Sequence, residues 1–104
     1  MTKKKITIFG STGGIGKEIV KLLKKKPYDL FLFNKKKLNF GISSSKFKLQ
    51  KILKKINPDI IINASGILGN NYDDYKKIYD VNLMPNWEII KHYKKINLKK
   101  KLII

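Results

Sequence analysis

Lys5-Ile6-Thr7-Ile8-Phe9-Gly10-Ser11-Thr12-Gly13-Gly14-Ile15-Gly16 carries the strongest fold signal of the chain. A short apolar strand runs into a glycine-rich turn, and the turn runs into an amphipathic helix. Glycines let the backbone take a positive φ and approach a ligand closely. The helix that begins beneath them aims free N–H groups and a partial positive charge at whatever sits there, which suits a phosphate. The ligand this favours is the pyrophosphate of a dinucleotide; the competing reading is a plain tight turn between strand and helix.

The spacing is Gly10-x3-Gly14-x-Gly16, which differs from G-x-G-x-x-G and from a P-loop. A P-loop needs glycine where Ser11 stands and a hydroxyl where Glu18 stands. The observed pattern resembles the T-G-x-x-x-G-x-G fingerprint of the short-chain dehydrogenase/reductase family, matched at Gly10, Gly14 and Gly16 with Ser11 and Thr12 after the first glycine. Two further stretches follow in family order. Asn63-Ala64-Ser65-Gly66, after Ile60-Ile61-Ile62, is similar to the N-x-x-G motif, whose backbone lines the adenosine and ribose side of the cofactor and whose asparagine helps hold the central sheet. Asp80-Val81-Asn82-Leu83 resembles the V-N segment of a long helix beside the active site, where the asparagine holds a water in the proton relay of the smaller branch.

The resemblance implies an α/β, Rossmann-like doubly wound parallel sheet of order 3-2-1-4-5, ending after the fifth strand. It also implies an oxidoreductase exchanging hydride between a nicotinamide cofactor and a carbonyl or alcohol. Cofactor contacts are expected from Gly10, Ser11, Thr12, Gly14, Ile15 and Gly16, from Asn34 and Lys35, and from Asn63, Ala64 and Gly66; Asn82 is the one catalytic candidate. Phe33-Asn34-Lys35-Lys36-Lys37 closes the second strand without a carboxylate, which favours the 2′-phosphate of NADP over the 2′-hydroxyl of NAD, with NAD left open. Ser43 or Ser44 stands where the family often has an adenine-binding aspartate. The family's serine and Tyr-x-x-x-Lys pair would follow Ile104, so the chain reads as the cofactor-binding half, a fragment inactive alone. Tyr72 and Lys76 have the spacing but lie too early, and read as a helix pair. Leu49 to Asn63 also resembles the extended, nucleotide-sugar branch of reductases and epimerases. Outside enzymes, a non-catalytic dinucleotide-binding module and a basic nucleic-acid binder stay open.

At 104 residues the chain is expected to be one domain, 1–104, burying ~65% of its unfolded surface. It holds no cysteine, so disulfides and thiolate metal sites are excluded, and no metal-ligand set stands out. No apolar run is long enough for a membrane span, and a cytoplasmic location is the default expectation. The net charge is +17, but all 24 basic residues are lysine. With no arginine for bidentate base readout, solvated lysine faces are preferred over a nucleic-acid surface.

Strands are expected at 4–9, 28–33, 38–42, 59–64 and 101–104, and helices at 14–26, 46–57 and 72–96. The second strand reads as a parallel strand covered on both faces. Pro27 should stop the first helix, Ser43 to Ser45 cap the second, and Pro85 kink the third near Leu83 to Asn86. His92 reads as a surface helix position. Trp87, with Ile89, Ile90 and Tyr93, is expected on the sheet or on a second subunit, which leaves a homo-oligomer open.

Overall fold

The computed structural model describes residues 3–42, 44–66, 75–95 and 101–103. In chain order the elements are β1 (Lys5–Phe9), α1 (Gly14–Leu23), β2 (Asp29–Phe33), α2 (Ser45–Ile56), β3 (Ile60–Asn63), α3 (Tyr75–Asn82), α4 (Met84–Lys95) and β4 (Lys101–Ile103). The four strands form one parallel sheet in the order β2-β1-β3-β4. The register sets Ile6 beside both Leu30 and Ile60, and Phe9 beside both Phe33 and Asn63.

Side chains of a strand alternate between faces, and β1 uses both. Ile6 and Ile8 point toward α1 and pack with Val20, while Phe9 points the other way into a cluster with Leu49 and Leu53 of α2, Ile61 of β3 and Ile89 of α4. One layer therefore carries α1 and the opposite layer α2 and α4, as right-handed crossovers require when the chain first steps to one side of β1 and then to the other. The chain has a Rossmann-like fold.

Several expectations change. Residues 38–42 form no strand. Leu38 and Phe40 are buried as an alternating pattern demands, but Asn39 uses its Oδ1 to accept the Gly41 N–H at 2.9 Å, and the Ile42 N–H returns to the Asn39 carbonyl at 3.1 Å. Turn chemistry wins over alternation. Without that strand beside it, β2 is half-buried instead of covered on both faces. α1 ends at Leu23, before Pro27, and its Ile15 and Leu22 are exposed.

Ser44 is the N-cap residue of α2 but makes no side-chain capping bond, and Ser43 lies outside the described residues. At the far end Asn57 takes the left-handed conformation (φ 47°), which asparagine tolerates, and closes α2 before Pro58. The long helix is broken at Leu83 into α3 and α4, where Pro85 supplies no N–H. His92 is buried, with its ring 5.8 Å from that of Tyr93, and is not a surface residue. Trp87 stands 61% exposed and so does not pack on the sheet. No helix among the described residues is long and apolar enough to cross a membrane, and no three or more His, Cys, Asp or Glu side chains there gather as a metal site would need.

Candidate dinucleotide site

The carboxyl ends of β1, β2 and β3 converge, and the turns that leave them build one site. Gly10 follows β1 at φ +75°, a conformation side chains rarely adopt, and a Cβ there would lie 2.6 Å from the Ser65 backbone nitrogen. The Gly10 N–H donates to the Phe33 carbonyl at 2.9 Å, and the Ser11 N–H to the same oxygen at 3.3 Å, so the turn is laced to the end of β2. Gly16 is demanded even more strongly. A Cβ on it would sit 1.9 Å from the Gly10 carbonyl oxygen, so only glycine lets α1 start this close beneath the turn.

Gly14 has a different reason. Nothing lies within 4 Å of where its Cβ would be, which leaves that side open to a ligand. The N-cap of α1 is Gly13, with no side-chain capping bond and no acid in the first turn. The first backbone bond of the helix runs from the Lys17 N–H to the Gly13 carbonyl at 2.8 Å, so the N–H groups of Gly14, Ile15 and Gly16 precede the ladder. An anion placed there meets donors and the positive helix end together.

Beside this helix end lies a cavity of about 260 Å³. Of the residues singled out in the sequence, Gly10, Thr12, Asn34, Lys35, Ala64 and Gly66 line it. Its apolar floor comes from Phe9, Phe33, Leu38, Phe40 and Val81, with Phe9 and Phe33 stacked at 5.5 Å. Polar rim and apolar floor together suit a ligand with a flat ring at one end and phosphates at the other. Ser11 is buried at the turn, Ile15 faces outward at 75% exposure, and neither belongs to the cavity's described lining. Gly13, Ser65, Asn39 and the floor residues were not singled out in the sequence. Alternating Leu38 and Phe40 carried the signal but pointed to a strand.

At the end of β2, Asn34 spends its Oδ1 on the Lys37 N–H at 3.0 Å, and Lys37 Nζ lies 3.4 Å from the Leu32 carbonyl. This turn leaves Lys35 exposed at the cavity, and no acidic side chain stands among the described lining. At the end of β3, Asn63 is buried. Its Oδ1 accepts the Ser65 N–H at 3.1 Å and the Ser65 hydroxyl, while its Nδ2 donates to Asn86 Oδ1 at 2.7 Å. Its amide thus holds the turn and α4 directly. Ala64 continues the register through its N–H to the Phe9 carbonyl at 2.9 Å. Asn82, at the end of α3, lies outside the described lining; its Oδ1 is 3.4 Å from where a Gly66 Cβ would be. Tyr72 lies outside the described residues, and Lys76 pairs with Asp80 at 2.7 Å, as a helix pair does.

Solved structures share this fold. A dTDP-4-dehydrorhamnose reductase from Bacillus anthracis in complex with NADP aligns with a TM-score of 0.80 at 22% identity, over 98% of this chain and 35% of that one. A GDP-mannoheptose C4 reductase from Campylobacter jejuni with NADP bound aligns with 0.76 at 25% identity, over 98% and 30%. A Bordetella bronchiseptica enzyme in complex with NAD+ aligns with 0.68 at 17% identity, over 90% and 36%. The chain spans about a third of the length of each. No curated protein matches it significantly by sequence. A family model described as the NAD dependent epimerase/dehydratase family matches residues 6–104, almost the entire length, and the chain belongs to that family.

Proposed function

We propose that this chain binds a nicotinamide dinucleotide, NADP(H) in preference to NAD(H), across the carboxyl ends of β1, β2 and β3. We read residues 1–104 as one cofactor-binding domain of an oxidoreductase whose substrate is a carbonyl or alcohol on a nucleotide-linked sugar. The observation that carries the reading is the uncapped N-terminus of α1, held open by Gly14 and set against Gly10 by Gly16, beside a cavity with an apolar floor and a lysine rim. The family match, together with the two sugar-nucleotide reductases, supports the extended branch over the smaller one.

On this reading the residues divide the work as follows. Backbone N–H groups of Gly14, Ile15 and Gly16, with the hydroxyls of Ser11 and Thr12, hold the pyrophosphate. Asn34 shapes the turn that presents Lys35 to a 2′-phosphate. Ala64, Ser65 and Gly66 form the opposite wall, which the buried Asn63 holds through Ser65. Asn82, whose Oδ1 stands beside Gly66, is the catalytic candidate. The bound nicotinamide supplies or accepts the hydride; the chain's own part is to orient it and neutralise its phosphates.

The test is a fluorescence titration of the purified protein with NADPH and with NADH. NADPH should bind more tightly, and Lys35→Ala should erase roughly tenfold of that preference at most, a single charge-assisted contact. Equal affinities would remove the 2′-phosphate assignment. No binding of either by a chain shown to be folded would remove the cofactor reading altogether.

A further inference from the structure

We propose that Asn86 is a positioning residue that fixes the Ala64-Ser65-Gly66 wall of the cavity by a directed chain of hydrogen bonds across the break between α3 and α4. The inference rests on reading that cavity as the cofactor site. Pro85 interrupts the helix, and the carbonyls at the end of α3 need other donors. Asn86 Nδ2 donates to the Asn82 carbonyl at 3.2 Å, and Asn86 Oδ1 accepts from Asn63 Nδ2 at 2.7 Å. Asn63 Oδ1 then accepts from the Ser65 N–H and hydroxyl.

The polarity of this chain is forced from both ends. The Ser65 N–H can only donate and the Asn82 carbonyl can only accept, so each carboxamide between them has one allowed orientation. Asn63 is buried at the last ladder position of β3, opposite Phe9, so its amide reports the strand's register to the turn that follows. A second contact runs alongside, since Gly66 packs next to the Asn82 side chain. Asn86 is therefore the link by which the position of the α3–α4 break sets the position of the wall.

The experiment compares the wild-type protein, Asn86→Leu and Asn86→Asp by NADPH titration and by amide hydrogen exchange without ligand. Leucine keeps the shape and removes both bonds; aspartate keeps an acceptor for Asn63. Asn86→Leu should bind NADPH about tenfold more weakly, as loss of one or two hydrogen bonds implies. Its exchange should quicken at Ser65, while Ile8 and Val20 stay protected. Asn86→Asp should recover most of the affinity and the Ser65 protection. Unchanged affinity and exchange in Asn86→Leu, or uniformly faster exchange at Ser65, Ile8 and Val20 alike, would overturn the proposal. If the wild-type protein binds no dinucleotide, the cofactor reading fails by itself, and with it the role at a cofactor wall.

Discussion

At the scale of single residues, the three fingerprint glycines are required for three separable reasons. Gly16→Ala places a methyl 1.9 Å from a backbone oxygen, and thermal denaturation should show a loss of about 3 kcal/mol or more. Gly14→Ala meets open space and should leave the melting midpoint level or slightly raised, whereas Gly14→Asp sets a carboxylate where phosphate is expected and should abolish NADPH binding. Equal destabilisation by alanine at both positions would contradict this division. Thr7 is fully buried, and its Oγ1 has no hydrogen-bond partner among the described residues. Thr7→Val should therefore raise stability by roughly 1 kcal/mol in a denaturant melt; a drop would mean that the hydroxyl is satisfied. The glycines were legible in the sequence because spacing and backbone need coincide. Asn86 was not, because its role depends on a partner 23 residues away, which no local pattern marks.

Among elements, the α2–α4 layer is joined by Glu88. Its side chain is only 3% exposed, yet Lys46 and Lys91 reach its Oε1 at 3.3 Å each, and Gln50 bonds its Oε2 at 2.8 Å. Burial alone would raise its pKa, but the bonds from Gln50, Lys46 and Lys91 outweigh it and hold the carboxyl below its usual value. The stability it contributes is therefore present above the unfolded carboxylate pKa and lost as pH falls through the lower folded one. Glu88→Gln should flatten the acid limb of a stability-versus-pH curve; an unchanged limb would argue against the clasp. At the other end of α4, burial first and the charge of Asp59 second push Tyr93 up to about 12. An unfolded tyrosine ionises near 10, so stability should decline as pH rises between the two values, and Tyr93→Phe should remove that decline.

The order of elements was readable from period and punctuation, including the break at Pro85. The misread third strand shows the limit. Leu38 and Phe40 have strand alternation, but Asn39 and Gly41 close a turn that the alternation does not reveal. His92 misled for a related reason: its lysine neighbours suggested solvent, while helix phase turned it inward.

Across the whole molecule, +17 charges on 104 residues repel one another. The melting midpoint should rise when salt is brought to roughly 0.5 M, where screening shortens to a few ångströms, and NADPH affinity should fall by only a few-fold. A steep loss of duplex DNA binding over the same range would instead favour a nucleic-acid surface. Sheet topology was legible up to the missing strand, whereas the layout of the site depended on three turns meeting in space.

Under the proposed function a dinucleotide lies across those three turns. Amide chemical-shift mapping of the isotope-labelled protein on addition of NADPH tests it most directly. Saturable shifts at Gly10 to Gly16, Asn34 to Lys37 and Ala64 to Gly66, absent in Gly14→Asp, are the predicted result. Shifts concentrated elsewhere, or none in a folded chain, would contradict it.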